Sequence, residues 1–135
     1  MKKFIIKTFA VAVLLTGITT TNAMAASYNF QATYEHLIYT NSGFYVKGTS
    51  SIAGKQNSDE AGDTKAKYSM VSRGSEPADD VIITYFTQEG TGSFKRTFKD
   101  FTSYAYLRMD NLNPTGFFGG REPITSSGTY TYTTK

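Results

Sequence analysis

From Tyr28 onward, apolar and polar positions alternate in short runs separated by turn residues. Tyr28, Phe30, Ala32 and Tyr34 share one face of a first strand that the pattern carries over 28–40. Asn41-Ser42-Gly43 predicts a tight hairpin, with 44–52 returning. The stretch 54–64 (GKQNSDEAGDT) is the most polar and predicts an exposed loop. Over 66–73, Tyr68 and Met70 alternate with Lys67 and Ser69. Segment 74–80 contains Pro77 and predicts a turn. Residues 81–88 are apolar on both faces, Val81, Ile83 and Tyr85 on one and Ile82 and Phe86 on the other, which is the pattern of a central strand.

Glu89-Gly90-Thr91-Gly92 predicts a reversal of the chain. Over 93–101, Phe94 and Phe98 alternate with Lys95, Thr97 and Lys99; a strand follows over 104–112. Asn113-Pro114-Thr115-Gly116 is a strong turn signal, 117–125 is irregular, and 127–134 is the last strand. No window after residue 25 carries a long 3.6-residue apolar period. Seven or eight short strands on short turns predict an all-β fold. The economical form is a single antiparallel β-sandwich, with a small β-barrel as the alternative.

The first 25 residues have a different pattern. Lys2, Lys3 and Lys7 precede an apolar run from Phe9 to Ile18, and Ala23-Met24-Ala25 is an A-x-A cleavage signal. This predicts a signal peptide over 1–25, a mature all-β domain over 26–135, and a bacterial protein that is secreted and extracellular. The apolar run is near ten residues, whereas a spanning helix needs about 20, so no transmembrane segment is expected. The chain has no cysteine, so neither a disulfide framework nor a lipid-accepting cysteine is available.

Removing the signal changes the charge. The full chain has 14 Lys and Arg against 11 Asp and Glu, and loss of Lys2, Lys3 and Lys7 leaves 11 against 11. A neutral domain has no net field to draw it onto nucleic acid, so no nucleic-acid partner is expected.

Signatures of catalysis are sparse. His36 is the only histidine and sits inside the first predicted strand, where its neighbour Glu35 would point to the opposite face. Neither G-x-S-x-G nor S-x-x-K occurs. One histidine and no cysteine cannot assemble a zinc site. Read as an EF-hand, the loop beginning at Asn57 puts Ala61 at position five and Tyr68 at position twelve, where ligands are required; a looser calcium loop would use Asp59, Glu60 and Asp63. The scattered carboxylates fall mostly at turns, which leaves a carboxylate-dependent hydrolase as the weakest reading. No cofactor and no metal is expected, and the chain reads as not an enzyme.

The aromatic residues carry more information. All 10 Tyr and 8 of the 10 Phe follow the signal, more than one sandwich core needs. Tyr104 and Tyr106 share a strand face, Tyr130 and Tyr132 share another, and Phe117 and Phe118 stand together beside Gly119-Gly120. Lys95 and Lys99 form a basic ridge, which could also be the lysine protection of an edge strand. Tyr104, Tyr106, Phe117, Phe118, Tyr130, Tyr132, Lys95 and Lys99 are therefore the candidate ligand-binding residues. The expected partner is a cell-wall polymer, carbohydrate or other envelope component, and the function a small secreted binding protein, including a bacteriocin-like form. A matrix protein, or an inhibitor presenting a loop such as 116–123, is the alternative.

Overall fold

The computed structural model describes residues 24–59 and 63–134. The segment 1–23, which carries most of the predicted signal, lies outside them, as do Glu60, Ala61 and Gly62. Nine strands are found among the described residues: β1 (Met24–Tyr34), β2 (Leu37–Tyr39), β3 (Phe44–Gly48), β4 (Ser50–Asn57), β5 (Lys65–Ser72), β6 (Val81–Glu89), β7 (Gly92–Thr97), β8 (Phe101–Asn111) and β9 (Ile124–Thr134). They form two antiparallel sheets packed face to face, the predicted β-sandwich. Sheet one has the order β1-β9-β4-β7; sheet two has the order β2-β8-β5-β6, with β3 also on β8.

Several local expectations are corrected. The predicted strand 44–52 divides at Thr49 into β3 of sheet two and β4 of sheet one, and the stretch 54–64, expected to be an exposed loop, begins inside β4 with Gln56 fully buried. The predicted strand 28–40 breaks at Glu35 and His36, because the chain passes there from sheet one to sheet two. Asn41-Ser42-Gly43 is not a hairpin. β2 and β3 run on along the same edge of β8, and the four residues 40–43 bulge out opposite Tyr106 and Leu107. Thr40 keeps the bulge attached, donating its N–H to Leu107 O at 2.9 Å. β6 is an edge strand, not a central one. Its outer face, with Ile82 and Tyr85 exposed, belongs to an open surface rather than to a second packed layer, and Val81 is exposed at its first position.

The core follows the alternation. Sheet one turns Phe30, Tyr34, Ile52, Phe94, Ile124 and Tyr130 inward; sheet two answers with Phe44, Val46, Tyr68, Met70, Leu107 and Met109. Room for these rings comes from a glycine pair. In sheet one a single cross-strand row reads Phe30, Gly128, Gly54, Phe94. A methyl group at Gly128 would run into Ala53 O and come within 3.0 Å of the Phe30 ring. The strands can approach there only without side chains.

A buried hydrogen-bond chain crosses the sandwich. Tyr68 Oη donates to Gln56 Oε1 at 3.0 Å and lies 2.9 Å from Ser126 Oγ, which lies 2.9 Å from Tyr34 Oη. Since the Tyr68 proton goes to Gln56, Ser126 must donate to Tyr68, and Tyr34 to Ser126. Gln56 Nε2 then donates to Gln88 O at 3.0 Å and Gly90 O at 2.7 Å. The chain joins β1, β9 and β4 of sheet one to β5, β6 and the following turn, with every hydroxyl proton used. Burial pushes Tyr34 and Tyr130 up to about 12, with Tyr34's bond to Ser126 acting the other way, and burial pushes Tyr68 up further.

Two outcomes follow for stability. Gln56→Ala strands the Tyr68 hydroxyl and two carbonyls, and lowers unfolding free energy in a urea titration by about 3 kcal/mol. The raised tyrosines are favoured neutral in the fold, so their contribution is complete below the ordinary tyrosine pKa near 10 and is lost as pH climbs towards about 12. Urea midpoints should therefore show no loss from these groups up to about pH 10 and fall steeply above it.

Candidate functional site

The outer faces of the two sheets differ. Sheet one shows hydroxyls and amides in register, with Asn29 beside Thr129 and Thr33 beside Thr125; their side chains are bonded at 2.8 Å. Sheet two shows tyrosines. Because Ala105, Leu107 and Met109 of β8 are buried, Tyr104, Tyr106, Arg108 and Asp110 must point outward. Tyr45 of β3 pairs directly with Tyr104, and Tyr39 of β2 with Arg108. On the other side Val71 pairs with Tyr106 and Ile82, and Ser69 with Tyr85.

These side chains form a belt. Tyr104 is 54% exposed, and its ring lies over Gly43 in the β2–β3 bulge, where a methyl group would meet it at 2.5 Å. Tyr104 and Tyr106 meet edge to face at 5.7 Å. Arg73 places its guanidinium 5.4 Å from the Tyr106 ring centre and 4.2 Å from that of Tyr39. Lys67 lies 4.6 Å from the centre of the Tyr85 ring. A hydrogen bond to Tyr106 raises the Tyr104 pKa, so the Tyr104 phenol keeps its proton at neutral pH and offers a donor as well as an acceptor.

An ionic cluster holds one side of the belt rigid. The Asp80 side chain is only 1% exposed, and accepts from Tyr39 Oη, from Gly74 N–H at 3.0 Å and from Arg108 Nη1 at 3.0 Å. Arg108 also donates to Pro77 O at 3.0 Å and to Asp110 Oδ1 at 2.7 Å. The turn before β6 is thereby fixed to β8 and β2. Burial alone would raise the Asp80 pKa; the donors from Tyr39, Gly74 and Arg108 outweigh it and hold it below the usual carboxylate range.

The structure divides the candidate residues. Tyr104 and Tyr106 lie at the middle of the belt. Tyr130 is fully buried, and Tyr132 stacks on it at 5.3 Å from the inner face, so neither joins an open surface. Tyr130 packs against Phe44 and Phe98, a demand of the core that alternation alone does not reveal. Phe117 and Phe118 stand at the tip of the β8–β9 connection, outside the belt. Lys95 faces outward from the edge strand β7 of sheet one, and Lys99 sits in the crossing from β7 to β8. His36 lies in the bend after β1, where its carbonyl accepts Asn111 N–H. Among the described residues no three His, Cys, Asp or Glu gather as a metal site would need; Glu60 of the calcium-loop candidate is outside them.

Five belt residues were not among the sequence candidates: Tyr39, Tyr45, Tyr85, Arg73 and Lys67. Tyr45 had a usable signal, because it falls out of phase with Phe44 and Val46. Tyr39 did not, because the bulge that follows it resets the phase.

No protein-family model matches this chain, and no curated protein matches it. Nine chains of solved structures do. One is PliG of Aeromonas hydrophila, a periplasmic lysozyme inhibitor of g-type lysozyme, at 15% identity and a TM-score of 0.41, over 83% of this chain and 88% of that one. A likeness of that degree carries no functional argument.

For the ionic cluster, Asp80→Asn should cost about 2 kcal/mol at neutral pH. The Asp80 pKa is depressed in the fold, so its contribution is present above the ordinary carboxylate range near 4 and is lost as pH falls through the depressed value. Urea midpoints measured on the acid side should fall less steeply in the variant than in the parent.

Proposed function

We propose that this chain is an exported, non-enzymatic bacterial protein that binds a glycan-bearing polymer of the cell envelope on the outer face of sheet two. The observation that carries this reading is the belt of Tyr45, Tyr104, Tyr106, Arg73 and Tyr39 on a rigid sheet surface. Core packing does not require rings there. The apolar C–H face of a pyranose packs on an aromatic ring, while its hydroxyls find the phenol groups at the rim. Arg73 and Lys67 add positive charge beside the rings, which suits a polymer bearing phosphate or carboxylate groups. The signal-like segment 1–25 supports export.

The test is co-sedimentation of the mature protein with purified peptidoglycan, chitin and teichoic acid. Retention on at least one polymer is expected. The double variant Tyr104→Ala, Tyr106→Ala should weaken it by about 30-fold without lowering the urea midpoint by more than a small amount. Failure to bind any of the three, or retention unchanged by the double variant, would overturn the reading.

A further inference from the structure

A second surface lies at the far end of β8, where the chain returns to sheet one. Thr115 and Arg121 form a β-bridge, Gly116 N–H donates to Gly120 O at 2.7 Å, and Gly119 N–H donates to Gly116 O at 3.0 Å. Gly119 closes the turn with a φ of +83°, a conformation that suits glycine. Phe117 and Phe118 therefore occupy the two central positions of a tight turn, where polar residues are the rule. They are 98% and 97% exposed and meet each other edge to face at 5.3 Å.

The base of this finger is rigid. Arg121 Nη1 donates to Asn111 O at 2.7 Å, and Asn111 and Asn113 both donate from their side-chain amides to Glu122 O, at 2.8 and 2.9 Å. Two large apolar rings held at full exposure on a braced turn are prepaid for burial elsewhere, since little ordering remains to be done on contact.

The surrounding charge selects the occupant. Three shallow clefts meet at the finger through Pro114 and Glu122, and their walls include Asp59, Asp63, Glu89, Lys65 and Arg121. Glu35 follows Tyr34, whose partner in β9 is Ile124, so it stands at the same end. Lys65 is engaged by Glu89 at 3.1 Å. Among the described residues the walls of these clefts thus carry four carboxylates, Asp59, Asp63, Glu89 and Glu122, against two cations, Lys65 and Arg121. Such a rim repels anionic lipid headgroups, and membrane-seeking aromatic tips come with Lys and Arg instead. It complements a protein whose apolar cleft is ringed by basic residues.

We propose that Phe117 and Phe118 are the anchor of a protein-docking finger, and that its partner is a cationic enzyme with an apolar, aromatic-accepting cleft. This surface is separate from the tyrosine belt and stands or falls independently of glycan binding.

The probe is chymotrypsin, whose primary pocket is a hydrophobic slot, carrying Ala in place of its catalytic serine so that it binds without cutting. Calorimetric titration of the mature protein should show a complex whose affinity falls with added salt. Phe117→Ser with Phe118→Ser should weaken it by at least 50-fold, with the urea midpoint unchanged because neither ring packs on the core. Asp59→Lys with Asp63→Lys should weaken it about tenfold at low salt and flatten the salt dependence. Succinylation, which turns the enzyme's lysines into carboxylates while leaving the slot intact, should abolish the complex. No complex with the native form, equal affinity for the succinylated form, or a complex indifferent to both phenylalanines would overturn the proposal. So would binding of the finger to phosphatidylglycerol vesicles, or its loss of exposure in a dimer detected by sedimentation.

Discussion

The fold depends on how a polar chain is satisfied inside an aromatic core. Tyr34, Ser126, Tyr68 and Gln56 pass hydrogen bonds from one sheet to the other and end on the carbonyls of Gln88 and Gly90. Each member is buried, so any gap would leave a polar atom without water and cost more than an apolar contact contributes. The chain also fixes geometry. Apolar rings can slide, whereas Gln56 accepts one register only, because its amide must reach a hydroxyl on one side and two carbonyls on the other. In a domain with no cysteine, this crosslink takes the place that a disulfide would hold in many small exported proteins.

Once the sheets are locked, their outer surfaces can diverge. Sheet one is a ladder of hydroxyls and amides, and sheet two a belt of rings with interleaved cations. The ends diverge as well. Residues 26–135 carry 11 Lys and Arg against 11 Asp and Glu, but Asp59, Asp63, Glu89 and Glu122 line the clefts around the Phe117–Phe118 turn while Lys95 and Lys99 lie on the β7 edge and beyond it. Net charge therefore says little about the local field, which depends on which turns the topology brings to one end.

Much of the fold was legible in the sequence. The alternation of Phe30, Ala32 and Tyr34, of Tyr68 and Met70, and of Phe94 and Phe98 marked core faces correctly, because strand pleating depends only on local spacing. The errors occur where the chain changes sheet or phase. Glu35 and His36 bear no glycine or proline, yet the strand ends there because β1 and β2 have partners in different sheets. Asn41-Ser42-Gly43 has the composition of a hairpin turn but lies against β8, and composition does not distinguish a turn from a bulge. The site was half legible for the same reason. Tyr104-Tyr106 and Tyr130-Tyr132 share one pattern, and only the burial of Ala105, Leu107 and Met109 on one side and of Tyr130 on the other separates surface from core.

The central claim is that one set of tyrosines holds the sandwich together and another is free to meet a polymer. Tyrosine-selective nitration of the mature protein, read residue by residue by mass spectrometry with and without the envelope polymer, tests it directly. The account predicts that Tyr45, Tyr85 and Tyr104 react, that Tyr34, Tyr68 and Tyr130 do not, and that polymer protects Tyr104 and Tyr106. Reaction of Tyr68 in the folded protein, or equal reactivity of Tyr104 with and without polymer, would contradict it.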